Sequence, residues 1–108
     1  MREWEYNDPV SPVRFDWAAS FDEQVRALKS VDGGSFCMHG QNYYVLRALF
    51  EGHIIDDYAN PPLDDKGRAV RNVRSRIADL RHKWNIVIGD RQKDGKPYKE
   101  YMIGGRNG

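Results

Sequence analysis

Val70, Val73, Ile77, Leu80 and Trp84 recur at intervals of three, four, three and four, which gathers apolar side chains on one face of an α-helix. The spacing predicts a helix over 69–84, roughly 24 Å long. After Trp84 the rhythm changes. "IVIGDRQ" and "YKEYMI" read as strands, and "KDGKP" between them carries the Asp94-Gly95 pair of a hairpin turn. An amphipathic helix therefore runs directly into a hairpin.

Upstream, "QNYYVLRALFEG" reads as a helix with Val45, Ala48 and Leu49 inward and Gly52 as its stop. "SFDEQVRALKSVDGG" reads as a shorter one. Ser20 and Glu23 have capping-box spacing, Phe21, Val25 and Leu28 share a face, and Asp32-Gly33-Gly34 ends it. "SFCMH" fits a brief strand or a link equally well. In "HIIDDYANPP" a short apolar piece precedes an acidic turn, helical at most until Pro61 and Pro62. Asp64 or Asp65 is placed to cap the helix that follows. Residues 1–16 are broken by Pro9 and Pro12 and predict an extended arm. Trp4, Tyr6, Phe15 and Trp17 make that arm aromatic, so it should lie on its own domain or on a partner.

At 108 residues the chain has room for one domain with a core. Cys37 is its single cysteine, which fits a reducing compartment. No apolar run approaches the roughly 18 residues that span a bilayer. The N-terminus also lacks a hydrophobic signal core. The expectation is a cytoplasmic protein of a bacterial or phage-infected cell, with no membrane partner.

Net charge changes the picture. The total is +1, yet residues 68–99 hold ten basic and three acidic groups, a net +7. Residues 1–67 hold six basic and twelve acidic groups, a net −6. One region suits phosphate and the other repels it.

Residues 41–103 carry a further pattern: Arg76, Ile77, Asp79, Leu80 and Arg81, then Ile86 and Ile88, Gly95 and Lys96, and Tyr101 with Ile103. This resembles a family of small phage and prophage winged helix-turn-helix DNA-binding proteins. The resemblance implies an α+β fold: a three-helix core plus a β-hairpin wing, with an N-terminal arm and an extra helix. It divides the chain into arm and short helix (1–36), winged helix-turn-helix domain (37–103) and flexible tail (104–108). This chain departs from the family by placing Pro61-Pro62-Leu63-Asp64-Asp65 where a second helix should run into the third.

The implied function is DNA binding, as a phage or prophage transcriptional regulator with 69–84 as recognition helix and 86–103 as wing. Double-stranded DNA is the expected partner, and a homodimer follows if the arm or first helix supplies an interface. Arg68, Arg71, Asn72 and Ser75 lie near the start of the recognition helix, the part that enters a major groove. Arginine can pair with guanine and asparagine with adenine. Arg91, Lys93, Lys96 and Lys99 on the wing would grip phosphates, although lysines also keep hairpins soluble and discourage edge pairing. For Arg76 and Arg81, phosphate contact and packing along the core with a carboxylate partner weigh equally. RNA binding by the same surface is a weaker reading.

A second functional class is a protein-binding module on the same scaffold, such as a phage inhibitor of a host nucleic-acid-handling or defence complex. Asp56, Asp57, Asp64 and Asp65 would then face a basic site on the host protein, with Trp4 and Tyr6 as anchors. Paired acids in turns are more often caps or solvated loop residues.

Catalysis is not expected. His39, His53 and His82 have no metal-ligand spacing with Cys37, Gly33-Gly34 lacks the lysine and hydroxyl of a phosphate loop, and Cys37 has no basic neighbour in sequence. No metal or cofactor is implied.

Overall fold

The structure, a computed structural model, describes residues 3–106. Its elements are β1 (Glu5–Tyr6), α1 (Phe21–Arg26), α2 (Gln41–Phe50), α3 (Val73–His82), β2 (Ile88–Gln92) and β3 (Lys99–Ile103). The strands form one antiparallel sheet in the order β1-β2-β3. β2 and β3 make the hairpin, with Ile88 opposite Ile103 and Gln92 opposite Lys99. The turn spans 93–98. Gly95 takes a positive φ of 73° there, a conformation glycine adopts without steric cost, and the Lys93 N–H bonds the Tyr98 carbonyl at 3.1 Å. Ile55 adds an isolated bridge to Tyr101 on β3.

The core follows the apolar spacing. Val45, Leu46 and Leu49 of α2 and Val73, Ile77 and Leu80 of α3 are buried together with Ile86, Ile88, Tyr101 and Ile103. Val25, Leu28 and Phe36 belong to the same cluster. Residues before 37 therefore share one core with those after it, and the chain forms a single α+β domain. The arm lies on its own domain. Glu5 and Tyr6 pair with Asp90 and Gly89, while Phe15 and Trp17 pack on Phe50 with ring centroids 5.6 and 5.1 Å away. A Cβ on Gly89 would stand 2.7 Å from the Tyr6 ring, so a side chain there would displace that ring from β2.

Several elements differ from the sequence expectation. α3 has ten residues rather than sixteen, about 15 Å of helix. A bridge between Leu63 and Ala69 and a bond from the Val70 N–H to the Pro62 carbonyl hold its anticipated first turn extended. Asn72 then adopts the left-handed region, φ 57°, which ends any continuous helix upstream. Val70 and Trp84 are nonetheless buried, so the stripe identified the inward positions beyond the helix itself.

α1 ends at Arg26. Ser20 does cap it, accepting the Glu23 N–H at 3.3 Å. "SFCMH" contributes only a bridge from Ser35 to Lys29 and the buried Phe36. Residues 56–60 form bends, not a helix. The described residues thus contain three helices, with no counterpart to the second helix of the anticipated three-helix core. In the anticipated tail, the Gly104 N–H bonds the Val87 carbonyl at 2.8 Å, and Arg106 lies over Trp17; residues 107 and 108 fall outside the described range. Among the described residues no helix is long and apolar enough to cross a membrane.

Candidate nucleic-acid interface

α3 turns Val73, Ile77 and Leu80 inward, so Arg74, Ser75, Ala78 and His82 are exposed on its outer side. Arg71 and Asn72, also exposed, lead into it. Asn72 occupies the N-cap position but its side chain caps nothing. The cap comes from Asp57, whose Oδ1 accepts the Val73 N–H at 2.9 Å. This carboxylate satisfies an orphan donor and opposes the positive end of the helix dipole. Asp64 does not cap α3. It closes its own turn, accepting the Lys66 and Arg68 N–H groups at 2.9 Å each and the Arg68 side chain at 3.0 Å. Asp65 accepts the Tyr44 hydroxyl at 2.9 Å and Arg47 Nη1 at 3.1 Å.

The hairpin is joined to α3 by Arg81. Its guanidinium donates to the Ile88 carbonyl and, at 2.7 Å, to Asp90. Lys99 reaches the other Asp90 oxygen at 3.1 Å. Arg91 pairs across the strands with Glu100 at 2.9 Å, and its guanidinium stacks 4.2 Å from the Trp4 ring. Lys93 meets the buried Asp56 at 3.2 Å. Arg76 pairs with Asp79. Arg76 and Arg81 thus each meet a carboxylate of the chain, Asp79 and Asp90 respectively.

The anticipated DNA-binding residues thus divide into two groups. Arg68, Arg91, Lys93 and Lys99 are held by carboxylates of the chain itself. Arg71, Asn72, Ser75 and Lys96 have no such partner among the described residues and are exposed, as are Arg68 and Lys99 of the paired group. Among the described residues no carboxylate lies within ion-pair distance of Arg71, Arg74 or Lys96. Arg71 makes only a long contact, 3.5 Å, to the Asp57 carbonyl. Three carboxylates from outside residues 68–99, Asp56, Asp64 and Glu100, therefore offset part of the segment's +7 and leave a net +4. Arg74, outside the anticipated DNA-binding set, is also exposed on the outer side of α3.

The anticipated protein-binding acids also have internal partners. Asp56 is 1% exposed and accepts the N–H groups of Tyr58, Ala59 and Asn60 at 2.7, 2.7 and 3.1 Å. Trp4 lies against Arg91, whereas Tyr6 remains about half exposed.

Between α3 and the hairpin runs a groove of about 450 Å³, bordered by Arg74, Ala78 and His82 on one side and Gln92, Tyr98 and Lys99 on the other, with Tyr58 at its edge. A second groove, about 550 Å³, lies where α2 meets residues 52–63 and includes the exposed Ile54 and Leu63. Cys37 is exposed and unpaired among the described residues.

Burial raises the Asp56 and Asp90 carboxyls, but hydrogen bonds outweigh it. The backbone donors of residues 58–60 and Lys93 hold Asp56 below its ordinary value, and Arg81 and Lys99 do the same for Asp90. A carboxyl lowered in the folded state stabilises above its unfolded pKa of about 4 and loses that contribution as pH falls through the folded value. Urea unfolding from pH 7 to pH 3 should therefore show stability declining below about pH 4. Asp90→Asn should flatten that decline; an unaltered slope would refute the assignment.

Comparison with protein-family models, curated proteins and solved structures finds no match to this chain.

Proposed function

We propose that this protein binds double-stranded DNA through the outer face of α3, as a winged helix-turn-helix regulator of phage or prophage type. The observation carrying this reading is the set Arg71, Asn72, Arg74 and Ser75 at the exposed start of α3, where two guanidiniums have no carboxylate partner. The order α2, Ile55 bridge on β3, α3 and hairpin supports a winged-helix plan in which bends replace the second helix. Lys96, exposed at the hairpin turn, would make a further phosphate contact.

Internal pairing sets the expected size of the electrostatic component. With Arg71, Arg74 and Lys96 as the unpaired cations of the proposed interface, the log–log dependence of affinity on salt should have a slope of about −3, at roughly −0.9 per phosphate. Titrating labelled genomic duplex fragments across a salt series measures it. Arg71→Ala with Arg74→Ala should reduce the slope by about two, and Lys99→Ala should leave it nearly unchanged because Lys99 already faces Asp90. Absence of binding at low salt, or an unaltered slope in the double variant, would overturn the reading.

The self-paired hairpin and the groove beside Ile54 and Leu63 favour a second reading, a protein-binding module acting on a host nucleic-acid-handling complex. A defined host protein retained after nuclease treatment, and lost in Leu63→Glu, would support it over DNA binding.

A further inference from the structure

We propose that the groove between α3 and the hairpin is a stacking subsite for one unpaired nucleotide of the bound DNA, with Tyr58 as its platform. The proposal rests on the DNA-binding reading and adds the form of DNA preferred. A tyrosine ring ordinarily hides most of its surface, yet Tyr58 is 68% exposed. It is also firmly supported. Asp56 accepts the backbone N–H groups of residues 58, 59 and 60 and is tied to the hairpin by Lys93. The ring itself lies against Tyr98, with centroids 4.5 Å apart and planes inclined by 37°. The two rings form a supported aromatic surface at the edge of the groove.

The surroundings select the ligand. The volume of about 450 Å³ falls within the range of small-ligand clefts. Arg74 and Lys99 border it, so an apolar chain or a lipid tail would leave charged groups poorly solvated. The two carboxylates of the lining are already engaged, Asp57 by the Val73 N–H and Asp90 by Arg81 and Lys99. An aromatic surface beside the Arg74 guanidinium, which no carboxylate of the described residues pairs, suits a base with its phosphate. A fully paired duplex keeps its bases within the stack, so the occupant must come from a bulge, a frayed end or a flipped position.

Fluorescence anisotropy with three labelled probes tests this: a blunt duplex, the same duplex with a one-nucleotide bulge, and its single strand. The bulged duplex should bind roughly ten-fold more tightly than the blunt one, the gain expected from one base–aromatic stack. Tyr58→Ala should abolish that gain while leaving affinity for the blunt duplex unchanged, and Tyr58→Phe should retain it. Equal affinity for blunt and bulged duplexes, or a gain that persists in Tyr58→Ala, would overturn the subsite and leave the DNA reading intact. Tightest binding to the single strand would overturn the duplex-reading role together with the subsite. Failure of all three probes to bind would remove the DNA reading and the subsite together.

Discussion

Asp56→Ala is expected to lower stability by about 3 kcal/mol, because it orphans three backbone donors and leaves Lys93 partly buried without its partner. Asp56 is the most enclosed charged group among the described residues, and its two oxygens serve different tasks. Oδ1 gathers the N–H groups of Tyr58, Ala59 and Asn60, closing the turn that stands where a helix was anticipated. Oδ2 meets Lys93 and joins that turn to the hairpin. Asp56→Asn keeps an acceptor and should cost less. Lys93→Ala should also cost less, since Asp56 would retain its backbone donors. Urea unfolding of the three variants measures the ordering. A loss below about 1 kcal/mol for Asp56→Ala would mean that the turn is organised by something else.

Arg81→Ala is expected to cost about 2–3 kcal/mol and to loosen the hairpin from α3. The guanidinium is largely buried, bonds the Ile88 carbonyl through two nitrogens, and neutralises Asp90. Without it, Asp90 keeps Lys99 alone. Arg81→Lys should rescue only part of the loss, since an ammonium cannot reproduce the planar fork. A double-mutant cycle with Asp90→Ala should return a coupling of about 1 kcal/mol or more. Amide exchange at residues 88–90 should accelerate in Arg81→Ala. Additive single effects and unaltered exchange would show that Arg81 is not the connection. Because the groove has α3 on one side and the hairpin on the other, the same variant should weaken the proposed preference for bulged DNA.

The burial pattern was legible along the chain. Val45, Leu49, Val73, Ile77 and Leu80 are where apolar periodicity placed them, and Asp94-Gly95 sits in the hairpin turn. Periodicity reports which face a side chain takes, not which backbone bonds form. Val70 and Trp84 kept their inward positions while the helix between them contracted to 73–82. Summing charge along residues 68–99 was a weaker guide to the candidate interface. It counts ionisable groups and is blind to the partner that each one meets in space.

Local chemistry, readable from neighbours a few positions apart, already specified α2, the centre of α3, the hairpin and an aromatic arm. Folding then chose the partners: Asp57 capping α3 across sixteen residues, Asp56 joined to Lys93 across 37, and β1 laid along β2 from the far end of the chain. Those contacts determine which cations face solvent. A carboxylate distant in sequence neutralises a lysine as effectively as an adjacent one, since Coulomb attraction depends on separation in space and not along the chain.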